Sequence, residues 1–258
     1  KNANEDLIKL GIHISKEQLR YDYEDLCTHL YQLSKTDVNK YYKQVRKLSE
    51  EDFFFFAYYV LDLPLGHPYL IARCYETQDL RDDKYLLMLA ARDHYKSVLN
   101  TIAMPLWEVI KNPDITIAIL SFQRDKSISQ LMSIKQIAET NELLKTVWSD
   151  IFFAKKQHAE TRWNIFTGLY VRRKSTVKEP TWSGWGLVEH SPVSMHFDLL
   201  IIDDPVTLDN SATPEQIEKV KSAYRMLAGL GTRAVRLRTI TTRYDINDLS
   251  ATLLADDR

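Results

Sequence analysis

The chain has 258 residues, of which 45% are hydrophobic and 27% charged, and its formal net charge at pH 7 is −1. This near-zero charge excludes a globally basic nucleic-acid-binding protein, so any contact with nucleic acid has to be a local patch. The two cysteines are too few for a disulfide scaffold or a zinc cluster, and no apolar run reaches the roughly 18 residues of a membrane span.

The first 60 or so residues predict a helical region. Amphipathic periodicity covers 16–33 and 37–48, which indicates two helices. The run FFFFAYYVL at 53–61 is too aromatic to be solvated, so we expect it to anchor these helices on the core, with a partner-binding surface as the alternative. We therefore predict a helical N-terminal appendage over 1–62 and a main domain over 63–258.

A turn at 66–68 and a helix at 69–78 lead to the stretch YLLMLAARDHYKS at 85–97. The apolar run 85–91 predicts a strand buried on both faces, and a helical pattern begins at Val98. Strand, polar loop, Lys-Ser and helix are the parts of a phosphate-binding loop. Loop amides face the anion, the lysine reaches the β- and γ-phosphates, and the serine hydroxyl binds Mg²⁺. The predicted nucleotide-binding residues are Ala91, Arg92, Asp93, His94, Tyr95, Lys96, Ser97 and Val98.

This loop departs from the GxxxxGK[ST] pattern at both glycines, where Ala90 and Tyr95 stand. Tyr95 lacks the φ freedom of glycine and adds bulk where a phosphate must approach. A buried strand with a lysine on the next helix is the alternative for this segment alone. The preceding His67 also has two interpretations: it stacks on a nucleobase, or it has a structural role.

The rest of the chain alternates strands and helices. Strands are predicted at 115–120, 197–202 and 234–240, and helices at 124–146, from 214 to about 227, and from about 249. Thr213 as N-cap, Pro214 at the first position and Gln216 at the third mark the start of the second of these helices. Tryptophans and glycines in 147–195 suggest short antiparallel strands and turns. The pattern predicts an α/β protein with a mainly parallel central sheet flanked by helices.

Polar groups follow the later strands where each strand ends, and the carboxyl ends of parallel strands share one edge of a sheet. Asp203 is expected to hold Mg²⁺, and the adjacent Asp204 to polarise the attacking water. Thr242 is placed to sense the γ-phosphate. A capped strand end and ordinary β-branched strand residues are the simpler readings of these positions. The order Lys96, Asp203, Thr242 nevertheless favours nucleotide hydrolysis.

Four stretches resemble the ATPase domain of the large terminase subunit of tailed bacteriophages. They are AARDHYKS, ILSFQRDKSISQLMSIKQIAETNELLKTVWSD, HFDLLIIDDPVT with SATPEQIEKV, and TITTRYDINDL, within about residues 65–252. The resemblance implies a P-loop NTPase of the additional-strand (RecA-like) type that hydrolyses ATP with Mg²⁺. It makes Arg92 an arginine beside the γ-phosphate, Lys96 and Ser97 the phosphate and Mg²⁺ contacts, Asp203 the metal carboxylate, Asp204 the catalytic carboxylate, and Thr242 the coupling residue.

A protein of this family pumps double-stranded viral DNA into a procapsid in the host cytoplasm. The implied partners are DNA, further copies of the chain in a ring, the portal protein and the small terminase subunit, without a membrane. Since the chain starts at Lys1 and stops at Arg258, we expect an excised piece without the C-terminal nuclease and without DNA cleavage. Expected DNA-contact surfaces are Arg172, Arg173 and Lys174, and Arg233, Arg236 and Arg238. Since side chains alternate along a strand, Arg236 and Arg238 lie on one face, and one of them is expected to point to solvent beside the site.

Two departures and two rivals remain. The segment 189–196 lacks the glycine-rich, arginine-bearing stretch common in the family, so the arginine donated by a neighbouring subunit stays open among Arg124, Arg172, Arg173 and Arg233. One rival is a helicase-like nucleic-acid-dependent ATPase, for which no second lobe fits in this length. The other is a degenerate nucleotide-binding or interaction scaffold, which Tyr95 favours and the retained Lys96, Asp203 and Asp204 disfavour.

Overall fold

The computed structural model describes residues 23–152, 162–189, 191–192 and 194–255. Within them the chain is an α/β protein whose central sheet is mostly parallel and is flanked by helices. The predicted helix over 16–33 lies partly outside the described residues, and so does the side chain of Arg233.

One sheet joins the strands, in the spatial order β1-β7-β6-β2-β5-β4-β3. Its members are β1 (Tyr85–Leu89), β2 (Ile117–Ser121), β3 (Trp163–Asn164), β4 (Gly168–Leu169), β5 (Trp182–Gly186), β6 (Phe197–Asp203) and β7 (Gly231–Thr241). Every pairing among β1, β7, β6, β2 and β5 is parallel, whereas β3 and β4 form an antiparallel extension. β2 and the middle of β6 consist mainly of isoleucine and leucine, residues that suit a strand buried on both faces.

The N-terminal helices pack on the core through the aromatic run. They are α1 (Tyr23–Thr36), α2 (Val38–Glu51) and the short α3 (Phe53–Phe55), which continues as a π-helical turn at Phe56–Val60. The four phenylalanines are at most 3% exposed, and they share one hydrophobic cluster with Leu30 of α1 and Ile117 of β2. The expectation that this run is core is confirmed. The domain boundary at 62 stays a prediction.

The remaining helices precede, separate and follow the strands along the chain. They are α4 (Pro68–Asp79), a π-helical turn (Val98–Ala103) that runs into α5 (Met104–Lys111), α6 (Arg124–Thr140), α7 (Glu142–Val147), a 3₁₀ turn (Leu208–Asn210), α8 (Pro214–Met226) followed by a 3₁₀ turn (Leu227–Leu230), and α9 (Leu249–Leu254). The capping box predicted at Thr213 is present. The helix predicted over 124–146 is instead two, because Asn141 caps a new helix and accepts a hydrogen bond from Leu144 N.

Two expectations about the sheet are wrong. The strand β1 is not buried on both faces: Tyr85 is 51% and Leu89 37% exposed, because β1 lies at the edge of the sheet. Residues 182–186 are not in a separate antiparallel region, since β5 pairs in parallel with β2 over its whole length. Both errors have the same cause, because strand order depends on pairings between distant segments.

Of the helices in the described ranges, none is both long enough and apolar enough to cross a bilayer.

Candidate functional site

Three strand ends bring Lys96, Asp204 and Thr242 into contact. The Lys96 Nζ lies 2.6 Å from the Asp204 Oδ1 and 2.5 Å from the Thr242 Oγ1. Lys96 follows β1, Asp204 follows β6 and Thr242 follows β7. Lys96 is 7% exposed and Asp204 43% exposed in their side chains, so the ion pair lies at the mouth of a cleft.

The end of β7 connects the two neighbouring strand ends through its backbone. Ala90 N donates to Thr241 O at 3.2 Å, and Asp204 N donates to Ile240 O at 2.8 Å. The Thr242 hydroxyl donates to Ala90 O at 3.0 Å and accepts from Lys96. The lysine, the carboxylate and the threonine are therefore held together by both backbone and side chain.

The loop between β1 and Lys96 has the backbone of an anion-binding turn. Asp93 and Tyr95 adopt left-handed conformations, with φ of 63° and 57°. Left-handed residues in such turns direct consecutive amides toward one point, where an anion binds. Tyr95 therefore keeps the conformation that glycine normally provides, at a cost of about 1–2 kcal/mol for a residue with a Cβ. Its side chain is 36% exposed beside the cleft.

Arg92, in the same loop, is held away from Lys96. Its Nε and Nη2 donate to the Tyr244 hydroxyl at 3.1 Å and 2.8 Å, and its guanidinium stands 5.5 Å from the centre of the Tyr244 ring. The backbone N of Tyr244 donates to Asp248, the N-cap of α9. The loop is thus tied to the segment that follows β7.

Asp203 and Ser97 face each other on the other side of Lys96. The Ser97 hydroxyl donates to the Asp203 Oδ1 at 3.1 Å, and the Gln130 amide nitrogen donates to the Asp203 Oδ2. The Asp203 side chain is buried, and this burial together with the charge of Asp204 raises the pKa of its carboxyl to about 6, against the opposing influence of Ser97 and Lys96. A buried carboxylate beside a serine hydroxyl is an all-oxygen set that fits Mg²⁺, which takes few protein ligands and keeps several waters. In the part of the chain described, no cluster of three or more His, Cys, Asp or Glu residues could hold a metal.

These groups line a cleft of about 680 Å³ at the carboxyl ends of β1, β2 and β6. The lining residues are Arg92, Asp93, His94, Tyr95, Lys96, Ser97, Val98, Ser121, Phe122, Gln123, Lys126, Gln130, Asp203, Asp204, Thr207, Leu208, Asp209 and Tyr244. Ala91, also expected at the site, is exposed next to the loop, and Thr242 lies behind Lys96. The structure thus brings the predicted site residues together at one edge of the sheet.

Other predicted residues lie elsewhere. His67 caps α4, where its Nδ1 accepts from Tyr69 N at 3.2 Å, and it is not among the cleft residues. Arg124 donates to Phe166 O at 3.2 Å, and Arg173 donates to the carbonyls of Val177 and Glu179.

The expectation that Arg236 or Arg238 points to solvent beside the site is wrong. Arg236 and Arg81 both bind the fully buried Glu108, Arg236 with two hydrogen bonds of 2.6 Å and 2.9 Å. Arg238 is 3% exposed and donates to the carbonyls of residues 80, 81 and 83, just before β1. Burial lowers the pKa of Arg238 to about 10, with Arg236 adding to the effect. These arginines join the amino end of β1, and the segment before it, to the middle of β7, at the opposite end of β1 from the cleft.

Several cleft residues were not predicted, and two of them, Gln130 and Tyr244, bind predicted site residues through their side chains. Gln130 lies on α6, within the quoted stretch that begins ILSFQRDKSISQ, but its contact with Asp203, 73 positions later, was not expected. Tyr244 lies within the quoted TTRYDINDL stretch, so a signal for it was present although its role with Arg92 was not expected.

Comparison of the sequence with protein-family models and with curated proteins gives no significant match.

Proposed function

We propose that this chain hydrolyses ATP at the cleft at the carboxyl ends of β1, β2 and β6. The observation that carries the proposal is the contact of Lys96 with both Asp204 and Thr242, since the three residues follow three separate strands. A phosphate-binding lysine, a carboxylate beside it and a hydroxyl on the strand between them are the groups that phosphoryl transfer to water requires.

In the proposed reaction Lys96 exchanges partners. Without nucleotide its ammonium neutralises Asp204, and a bound triphosphate offers it the β- and γ-phosphate oxygens instead. The exchange frees the Asp204 carboxylate to accept a hydrogen bond from a water molecule and orient it toward the γ-phosphorus. Thr242 keeps its bond to Ala90 and can follow the movement of Lys96 when the γ-phosphate leaves.

Ser97 and Asp203 would hold Mg²⁺, which neutralises charge on the β- and γ-phosphates when bound. The loop amides around Asp93 and Tyr95 and the N–H groups at the start of the following helix would bind the phosphate oxygens. Arg92 lies at the same loop, and leaving Tyr244 would let it approach the γ-phosphate.

The position of β7 supports the additional-strand type of P-loop protein. It lies between β1, which leads into the phosphate loop, and β6, which ends in the two aspartates. In this type an extra strand separates the phosphate-binding strand from the carboxylate strand, and its end faces the γ-phosphate.

The terminase resemblance extends the proposal to DNA translocation. In this proposal the chain is the motor domain that drives double-stranded DNA into a procapsid, as a ring on the portal with the small subunit. Arg172 and Lys174 are exposed and remain as candidate DNA contacts, since Arg238 is buried, and Arg173 and Arg236 are half-buried and bound to other groups of the chain. Contact through phosphates predicts binding that weakens steeply with salt.

The test is Mg²⁺-dependent phosphate release from ATP, with Lys96→Ala and Asp204→Asn as variants and Asp25→Asn as the control, at an exposed aspartate that does not line the cleft. We expect turnover in the wild type and the control, and its loss in both variants. A rate per chain that rises with protein concentration would support an arginine supplied by a neighbouring copy.

Nucleotide binding, measured in parallel by fluorescence of a labelled ATP, separates the alternatives. Binding without turnover under every condition, including added DNA and high protein concentration, would favour the nucleotide-binding scaffold that the bulk of Tyr95 suggests. Absence of binding would contradict the proposal.

A further inference from the structure

The strongest unassigned group in the cleft is the side chain of Gln130 on α6. Its amide nitrogen donates to the Asp203 Oδ2, while the Ser97 hydroxyl donates to the Oδ1 of the same carboxylate. Because a carboxylate only accepts hydrogen bonds, the amide must present its nitrogen, and its orientation is fixed. The two donors come from different helical segments and hold the carboxylate from both oxygens.

The orientation leaves the amide oxygen of Gln130 unused. This Oε1 is buried and has no hydrogen-bond partner among the described residues, although Gln130 lines the cleft. A buried acceptor without a partner is unfavourable unless a ligand or water supplies a hydrogen. The waters that Mg²⁺ retains are donors of this kind, since the cation polarises their O–H bonds.

We infer that Gln130 is a positioning residue of the cation site. Its amide nitrogen fixes the Asp203 carboxylate against Ser97, and its amide oxygen accepts a hydrogen bond from a water bound to the cation. The inference rests on the proposed function, because it assigns the cation to Ser97 and Asp203. Gln130 is thus a hydrogen-bond partner of a metal ligand, and the loss of such a partner typically lowers metal affinity or activity by about tenfold or more.

The test compares Gln130→Leu with Gln136→Leu, the same substitution at an exposed position of the same helix. Mn²⁺ binding in the presence of a non-hydrolysable ATP analogue is measured by electron paramagnetic resonance. We expect Gln130→Leu to raise the dissociation constant for Mn²⁺ by about tenfold, and Gln136→Leu to leave it unchanged. The affinity for the analogue in chelator, without metal, should be the same in all three proteins.

Thermal unfolding in chelator supplies a readout that needs no metal. The effect of Gln130→Leu on the unfolding temperature should differ between the wild type and an Asp203→Ala background, since the hydrogen bond exists only in the first.

The outcomes separate this inference from the proposed function. If the wild type binds the analogue and Mn²⁺ while Gln130→Leu binds Mn²⁺ within about twofold of it, the inference is wrong and the function stands. If Gln130→Leu lowered the affinity for the analogue equally with metal and in chelator, the inference would also be wrong, because the residue would then have a general structural role. If the wild type binds neither ligand, the proposed function falls and the inference falls with it.

Discussion

The Lys96 ammonium donates a 2.5 Å hydrogen bond to the Thr242 hydroxyl, which lies 146 positions later in the chain. The same hydroxyl donates to Ala90 O at the end of β1. The lysine that would bind the phosphates is thus in direct contact with the strand that separates β1 from the aspartates.

Replacing Thr242 by valine removes this hydroxyl at nearly constant shape. We expect the ATPase rate to fall by about tenfold or more, comparable to the loss of one positioned hydrogen bond in a transition state. Thr241→Val is the matched control, because in the described part of the chain the Thr241 hydroxyl donates to the backbone oxygen of Thr242 at 3.2 Å and not to a side chain of the site. Steady-state phosphate release distinguishes them, and equal rates for both variants would remove Thr242 from the mechanism.

The left-handed backbone of Tyr95, with φ of 57°, predicts an unusual order of stability for two truncations. Glycine relieves the clash of Cβ with the following carbonyl, whereas alanine keeps it. Both remove the ring, so their difference reports the backbone alone. We expect Tyr95→Gly to be more stable than Tyr95→Ala by about 1 kcal/mol in urea unfolding, despite the entropy that glycine adds to the unfolded chain.

The reverse order would mean that the loop is not left-handed at this position. Tyr95→Gly is also expected to bind ATP more tightly than the wild type, because the phosphate approach becomes wider.

The buried Asp203 carboxyl, with its pKa raised to about 6, predicts a pH dependence of stability. In the unfolded chain an aspartate has a pKa of about 3.9. Between about pH 4 and pH 6 the folded state therefore holds a proton that the unfolded state has released, so the free energy of unfolding decreases as pH rises through this window. Above about pH 6 the free energy of unfolding is lower by at most about 3 kcal/mol than it is below about pH 4.

We expect Asp203→Asn to abolish turnover and to stabilise the metal-free protein at about pH 7.5 by up to this amount, with little effect at about pH 4. Urea unfolding in chelator at both pH values is the measurement, with the exposed Asp209→Asn as control. A variant whose stability difference from the wild type does not change with pH would contradict the raised pKa.

The pairing of Arg236 with the buried Glu108 predicts a structural role for this arginine. Arg236→Met should lower the free energy of unfolding by about 3 kcal/mol, the lower end of the range for a broken buried pair, because Arg81 still contacts Glu108. It should leave DNA affinity unchanged.

Lys174→Ala is the complementary variant, since Lys174 is exposed. If the proposed DNA contact is right, this change leaves stability unchanged and weakens DNA binding at low salt, with a smaller salt dependence. Loss of DNA affinity in a folded Arg236→Met protein would instead support the expectation that Arg236 contacts DNA.

Local signals predicted what local chemistry determines. The capping box at Thr213 and the aspartates after a run of leucine and isoleucine needed only neighbouring residues, and both lie where expected. The edge position of β1 could not be predicted, because it follows from which distant strands pair. The same holds for the burial of Arg238, whose acceptors are carbonyls about 155 positions earlier.

The site was predictable where a polar residue stands directly after an apolar strand, as for Asp204 and Thr242. Tyr95 shows the limit of pattern matching: its side chain breaks the loop pattern, yet its backbone has the conformation that the pattern's glycine supplies. Gln130 shows the other limit, since an isolated glutamine on a helix has meaning only once the helix is seen beside Asp203.

The strand β7 is hydrogen-bonded to β1 on one side and to β6 on the other, so its register with both strands determines how the groups of the cleft are aligned. Side chains alternate along a strand, so a slip of a single residue reverses which face each one occupies. An insertion or deletion between Gly231 and Arg238 that shifted β7 by one position would turn the Thr242 hydroxyl away from Lys96. The phosphate loop and the aspartates would then be unchanged in sequence, but the hydrogen bonds through Thr242 that link them would be lost.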